Sequence, residues 1–479
     1  MNRLFISAAH KSSGKTTVCI GLCAALAARG EGVQPFKKGP DYIDPLWLGL
    51  AAGRPCYNLD AYLMGAEEIR AQVARRMHGA TLGLIEGNKG LYDGLDLEGA
   101  NSNAAMAALL GTPVVLVIDA RGMTRGIAPL ILGYQAFDPS VRIAGVILNQ
   151  LGGSRHEAKL RAVIQHYTGV PVLGAVQHDE RMAIAERHLG LVPSNEAQAA
   201  RARVEEIAAR VASQVDLEAL LEVARSAGAL AALGRPREGG DPVKPSTAQV
   251  SNFRNGVPAF AGTTGAPVRI GIARDAAFGF YYPGDLDALR AAGAELVDFS
   301  ALQDSHLPKV DGVFIGGGFP ETHMAALAAN ESLRRELHDA IEAGLPAYAE
   351  CGGLMYLARG IEWNGRAAPM VGVLPADIVM HPRPVGRGYV HLRETGRGPW
   401  PRSPAPLIHA HEFHYSSVEN LAPDVEFAYE VERGHGIDGR HDGIVHKNLL
   451  ASYAHLRDVA GNPWARRFVD FVRSCKHAA

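Results

Sequence analysis

Ser12-Ser13-Gly14-Lys15-Thr16-Thr17 follows an apolar run, Leu4–Ala8, and leads into a second apolar stretch, Thr16–Arg29, which Gly30 closes. A strand, a Gly-Lys-Thr turn and a helix in that order predict a loop whose backbone N–H groups cradle phosphate. Lys15 would reach the terminal phosphates, and the Thr16 hydroxyl would reach Mg²⁺. Gly14, Lys15, Thr16 and Thr17 are therefore the expected nucleotide-binding residues. The first glycine of the usual pattern is replaced by Ala9, and Lys11 lies near the place of the extra lysine in partition-type ATPases.

Further short runs rich in Val, Ile and Leu follow: Val33–Phe36, Thr81–Ile85, Pro113–Ile118, Ile143–Leu148 and Val170–Ala175. Runs without polar alternation fit strands buried on both faces of a parallel sheet. With helical stretches between them they predict a doubly wound α/β domain that binds ligands at the C-terminal strand ends. Two polar clusters leave that edge. One is Lys37-Lys38-Gly39-Pro40-Asp41-Tyr42-Ile43-Asp44-Pro45, and the other is Glu86-Gly87-Asn88-Lys89-Gly90-Leu91-Tyr92-Asp93-Gly94. Glu86 with Thr16 is a sufficient protein contribution to a Mg²⁺ site, because that ion keeps waters and takes phosphate oxygens. Asn149, at the end of its strand, is placed to read an adenine edge.

After a helical region, Asn195–Leu233, the composition changes. Residues 235–267 carry five glycines and five prolines in 33 positions, which predicts a flexible linker. A second α/β unit then begins, with strands at Val268–Ala273, Gly312–Ile315 and Ala347–Ala349 and helices at Leu286–Ala292 and Glu331–Ala343. The expected division is 1–234, 235–267 and 268–479. At 479 residues, more than one core is required.

In the second unit Ala349-Glu350-Cys351-Gly352-Gly353 reads as a nucleophile elbow, with a cysteine exposed at a strand-to-helix turn. The preceding turn, Gly316-Gly317-Gly318-Phe319-Pro320-Glu321, leaves N–H groups to face an oxyanion. Gly317 and Gly352 are the expected donors. The base should be a histidine of the C-terminal segment, and spacing leaves His409, His411, His414, His446 and His455 open. The other cysteines, Cys19, Cys23, Cys56 and Cys475, show no metal or redox spacing, and an odd total of five points to a reducing cytoplasm. A net charge of -2 without a basic run argues against a nucleic-acid partner. No stretch approaches the ~20 apolar residues of a membrane span, so no membrane partner is expected. A phosphate site and an amide-splitting site in one chain suggest that one half frees ammonia and the other spends ATP to use it.

On these residues the chain resembles the cobyrinic acid a,c-diamide synthases, glutamine-dependent amidotransferases of corrin-ring biosynthesis. The likeness rests on Gly39–Pro45, Glu86–Gly94, Gly316–Glu321, Ala349–Leu357, His411–Ser416 and Ala451–His455. It implies a dethiobiotin-synthetase-like P-loop domain followed by a class I glutaminase-like domain. It further implies that His455 raises the nucleophilicity of Cys351, and that Lys37 faces phosphate and carboxylate. Asp41, Tyr42, Asp44, Glu86 and Asp93 would handle metal, substrate carboxylates or the transferred phosphoryl group. Arg457 stands where a class I glutaminase carries glutamate, so the resemblance implies a Cys–His dyad.

The implied reaction is ATP-dependent amidation of the a- and c-side-chain carboxylates of cobyrinic acid through acyl phosphates, with Mg²⁺ as cofactor. The implied partners are a corrinoid, ATP and glutamine, with a homodimer as the assembly to look for. Two readings stand beside it. One is the same chemistry on hydrogenobyrinic acid or nickel sirohydrochlorin, and the other is a partition-type P-loop switch ATPase.

Overall fold

The computed structural model describes residues 1–187, 190–196, 199–230 and 267–478. The expected linker, 235–267, lies outside the described residues apart from Pro267.

The N-terminal half is built on seven strands: β1 (Asn2–Ala8), β2 (Val33–Lys38), β3 (Tyr57–Leu59), β4 (Leu82–Glu86), β5 (Val114–Asp119), β6 (Ile143–Leu151) and β7 (Val172–Gln177). Their order is β3-β2-β4-β1-β5-β6-β7, and every pairing is parallel. Buried side chains from both faces enter two separate cores, which is why the strands read as continuous apolar runs. The order reverses beside β1, so the turns after β1, β2 and β4 open at one edge of the sheet.

Helix α1 (Lys15–Ala28) lies against the helix Ala200–Ala212. A Cβ on Gly21 would stand 2.4 Å from Val211 Cγ2, so this mid-helix glycine is the condition for the close approach. It costs about 1 kcal/mol of helix propensity relative to alanine.

The second half has a nine-stranded sheet. Its order is Ala294–Phe299, Val268–Ala273, Gly312–Ile315, Ala347–Glu350, Leu449–Ser452, His441–His446, Glu426–Arg433, Gly386–Glu394 and Ile408–His414. The first five are parallel and the rest are joined antiparallel. A separate four-stranded sheet packs beside it, Gly360–Trp363 to Ser416–Glu419. The doubly wound expectation thus describes the parallel part, and the antiparallel wing extends it. Among the described residues no helix is long and apolar enough to cross a membrane.

Candidate functional site: two centres joined at one seam

At the phosphate end, the loop after β1 turns through two left-handed residues, Ser12 (φ 65°) and Gly14 (φ 78°), and α1 begins at Lys15. A Cβ on Gly14 would fall 2.2 Å from Asn149 Nδ2, so glycine is needed for space as well as for φ. Asn149, expected at an adenine edge, is buried here and donates its Nδ2 to the Ser13 carbonyl at 2.9 Å. It props the loop from below.

Behind the loop the structure gathers Lys15, Thr16, Lys37, Asp41, Asp44 and Glu86. The Thr16 hydroxyl lies 2.7 Å from Glu86 Oε1 and 3.2 Å from Asp44 Oδ2. Lys37 Nζ is 3.1 Å from Glu86 Oε1 and 3.7 Å from Asp41 Oδ2, and it forms a close ion pair with Asp44. Lys15 Nζ stands 3.8 Å from Glu86 Oε1. Burial works against the Lys37 ammonium, but Asp44, Glu86 and Asp41 outweigh it and hold its pKa well above the ordinary value. Burial, with Asp44 beside it, pushes the Asp41 carboxyl up to about 7. Burial opposes ionisation of Asp44 as well, yet Lys37 prevails and keeps that carboxyl below its usual range.

Glu86 is fully buried and its Oε2 has no hydrogen-bond partner. A buried carboxylate oxygen without a donor is costly unless something cationic meets it. Beside the Thr16 hydroxyl it offers the hard oxygen ligands that Mg²⁺ takes. Among the described residues no group of three or more His, Cys, Asp or Glu could hold a metal alone, so the remaining ligands would be phosphate oxygens and water.

Two expected residues lie apart from this cluster. Thr17 is half-buried in the first turn of α1. Asp93 is exposed in the loop after β4 and accepts the Gly90 N–H at 2.8 Å. Lys38, next to Lys37 in the sequence, is buried and reaches Asn88 Oδ1 at 3.2 Å and the Asn101 carbonyl. Burial pulls its ammonium down to about 8, with Asp60 opposing.

At the amide-splitting end, Cys351 follows the Ala347–Glu350 strand with φ 48° and ψ -100°, a conformation hardly populated outside glycine. Its N–H donates to the Ser452 carbonyl at 2.8 Å. Glycine behind it is a matter of room. A Cβ on Gly353 would meet Ile315 O at 2.1 Å, and one on Gly318 would meet Ala277 O at 1.9 Å. Gly352 packs against the Gly318 backbone nitrogen, its would-be Cβ 2.9 Å away. The two glycine turns thus meet backbone to backbone, and Gly317 lies against the imidazole of His455, 2.8 Å from a Cβ position to Cε1.

Strand register brings His455 to the same edge as Cys351. Glu350 pairs with Ser452 in adjacent parallel strands, so Cys351 and the 453–455 segment leave the same sheet edge together. The other candidates separate. His409 stacks on His391, and His414 is buried against Tyr453. His446 pairs with Glu342. His411 is the exception: its ring stacks on His455 at 5.0 Å, and burial, His455 and Arg457 hold it neutral, well below the ordinary pKa.

Sequence reasoning missed a carboxylate. Glu350 Oε2 stands 3.4 Å from His455 Nδ1, while its Oε1 accepts the Leu456 N–H at 2.9 Å and the Tyr348 hydroxyl at 2.5 Å. Arg457, in the usual place of the acid, pairs with Asp285 at 3.7 Å and lies over the Tyr282 ring at 4.2 Å. It also donates to the Asn58 carbonyl across the seam at 3.3 Å. The signal was the residue next to Cys351 itself, which strand alternation alone would have pointed away from it. Burial, reinforced by Glu321 and Glu350, pushes the Cys351 thiol well up, so it carries its proton until a base removes it.

The halves meet around Tyr42. Its ring is buried with Phe280, Tyr282 and Phe319, and its hydroxyl lies 3.2 Å from His455 Nδ1. Polar contacts continue along the seam: Tyr389 to Asp60 at 2.9 Å, Tyr57 to Asp287 at 2.9 Å, and Tyr62 to His391 at 2.6 Å. A cleft of about 340 Å³ opens there, lined by Asp41, Tyr42, Leu46, Asn58, Tyr281 and Pro283 among others.

Residues 5–192 match the CobQ/CobB/MinD/ParA nucleotide binding domain, and residues 269–461 match the CobB/CobQ-like glutamine amidotransferase domain. The cobyrinate a,c-diamide synthase of Magnetococcus marinus is 46% identical over 471 residues, covering 98% of this chain and 97% of that protein. The enzyme of the same name from Methanosarcina acetivorans is 41% identical over 497 residues, covering 98% and 95%. That from Archaeoglobus fulgidus is 39% identical over 468 residues, covering 98% and 96%. With likeness of that depth along the whole length, and both domain types in their expected halves, this chain belongs to the cobyrinate a,c-diamide synthase family.

Proposed function

We propose that this chain amidates the a- and c-side-chain carboxylates of cobyrinic acid in cobalamin biosynthesis, taking ammonia from glutamine and energy from ATP. The reading is supported by full-length likeness to enzymes of that name, and by one observation above all. The Lys37–Asp44–Glu86 cluster and the Cys351–His455 pair lie on either side of a single residue, Tyr42. The division of labour follows residues 1–234 for synthesis and 268–479 for glutamine hydrolysis, in the cytoplasm.

In the second half, His455 takes the thiol proton and Cys351 attacks the side-chain amide of glutamine. N–H groups near Gly317 and Gly352 hold the oxyanion. Glu350, 3.4 Å from Nδ1, steadies the imidazolium that forms. Ammonia leaves after protonation of the amide nitrogen, and water releases glutamate from the thioester.

In the first half, a carboxylate oxygen of the substrate attacks the γ-phosphorus of ATP, and ADP departs. Ammonia then attacks the acyl carbon, and phosphate leaves with the amide formed. Lys15 and Lys37 neutralise charge on the transferring group, and the Gly14–Thr17 backbone holds the phosphates. Thr16 and Glu86 would hold Mg²⁺, which when bound neutralises phosphate oxygens and helps align them. Ammonia would have to cross the seam unprotonated, past the buried rings of Tyr42, Phe280, Tyr282 and Phe319.

Cys351→Ala tests the division. Glutamine should no longer support amidation, whereas ammonium chloride should do so at the native rate. Failure of ammonia to support amidation by this variant would refute the assignment.

A further inference from the structure

Tyr42 stands where neither half alone requires it. Its backbone occupies the turn that begins α2 (Ile43–Ala52), between Asp41 and Asp44, and Asp41 Oδ1 accepts the Asp44 N–H at 3.1 Å. Both carboxylates face Lys37. The ring, however, has left that site. It stacks on Phe280 at 5.3 Å and packs on Tyr282 at 4.4 Å and on His455 at 5.1 Å. Burial, with Tyr282 and Glu350 adding to it, holds the phenol far above its ordinary pKa, so the hydroxyl keeps its proton.

His455 Nδ1 therefore has two neighbours, the Tyr42 hydroxyl at 3.2 Å and Glu350 Oε2 at 3.4 Å. They favour opposite states of the ring. A carboxylate accepts from Nδ1–H, which leaves Nε2 bare and able to take a thiol proton. A phenol that donates to Nδ1 requires the ring proton on Nε2, and the thiol then keeps its own.

We propose that Tyr42 is a positioning residue that couples the two reactions: rearrangement of the Asp41–Asp44 turn, as phosphate oxygens engage Lys37, moves the phenol on His455 and so sets whether Cys351 can be deprotonated. A ligand shifts such an equilibrium only through contacts that differ between the states. The contacts that would differ are those of Lys37, which pairs with Asp41 and Asp44 here and would meet phosphate oxygens in the nucleotide-bound state, and Asp44 lies two residues from Tyr42 in one turn. The coupling rests on the functional reading above.

The test compares the native enzyme with Tyr42→Phe, which removes the hydroxyl and keeps the packed ring. Glutamate release is measured with glutamine alone, and again with Mg-ATP and cobyrinic acid present. ADP formation with ammonium chloride is followed in the same preparations. Coupling free energies of the usual size predict a native stimulation of roughly 5- to 150-fold, falling to about onefold in the variant. The ammonia-supported reaction should still run, which reports an intact phosphate site. Native stimulation retained by Tyr42→Phe would overturn the proposal. So would a native glutaminase indifferent to Mg-ATP and cobyrinic acid, or loss of both activities together in the variant. A native enzyme unable to use ammonia for amidation would instead overturn the functional reading itself.

Discussion

Replacing Glu350 by glutamine isolates the contribution of the carboxylate beside His455. The change is isosteric, and the retained Oε1 can still accept the Leu456 N–H and the Tyr348 hydroxyl, so the local fold should persist. At Nδ1 the chemistry inverts. The carboxylate oxygen 3.4 Å away accepts a proton, whereas an amide nitrogen there donates one and drives the ring proton to Nε2. When His455 becomes a cation, a full negative charge at that distance is worth roughly 5 kcal/mol at an effective dielectric of ~20, which sets a ceiling. Losing a polar contact to a charged group typically costs about 1.5–3 kcal/mol. At 1.36 kcal/mol per tenfold, that is a fall of about 10- to 150-fold in kcat for glutamine hydrolysis. The assay is glutamate release against ammonia-supported ADP formation, and only the former should fall. Glu350→Asp should recover part of the loss, because it restores the acceptor. Glutaminase kcat within twofold of native, with the same pH profile, would refute the reasoning.

Lys37→Met removes the ammonium that pairs with Asp44 and leaves buried Glu86 only the more distant Lys15, at 3.8 Å. Breaking a buried pair from one side costs about 3–5 kcal/mol, so the first thermal transition should drop on the order of 10 °C, and a shift near zero would contradict the charge accounting. Asp285 tests pH dependence, because burial, with Asp458 adding and Arg457 opposing, pushes its carboxyl up to about 8. A raised folded-state pKa means stability that is fully present below the unfolded value of about 3.9 and is lost as pH rises through about 8. Asp285→Asn should therefore flatten the decline in melting temperature between about pH 4 and pH 8. Parallel melting curves for native and variant would sink that attribution.

Much of this architecture can be read from local pattern. Six of the seven parallel strands appear as apolar runs because they are buried on both faces, and observed ends differ from expected ones by up to three residues, as in β6 at Ile143–Leu151 against Ile143–Leu148. β3 escaped notice because Tyr57–Leu59 is only three residues long. The antiparallel wing escaped for a different reason. In Gly386–Glu394, buried Val390 and Leu392 alternate with less buried neighbours, and a search for continuous apolar runs passes over them.

The site divides in the same way. Gly14–Thr16 and Cys351–Gly353 are contiguous and carry their geometry in their spacing. Partners that meet only through tertiary packing do not. Glu350 lies next to Cys351 in sequence, but its role depends on a loop from a neighbouring strand that delivers His455. Tyr42 sits among phosphate-site residues in sequence, yet its ring faces the other half. Asn149, expected at an adenine edge, donates its amide to the Ser13 carbonyl, a partner that only the folded loop supplies.

Product mass tests the central claim most directly. The native enzyme is incubated with Mg-ATP and glutamine, with cobyrinic acid in one tube and hydrogenobyrinic acid in another. Two successive acid-to-amide steps are expected on cobyrinic acid, with one ADP formed for each. ATP turnover without any mass change on either ring would contradict the claim, and two steps on hydrogenobyrinic acid alone would reassign the substrate.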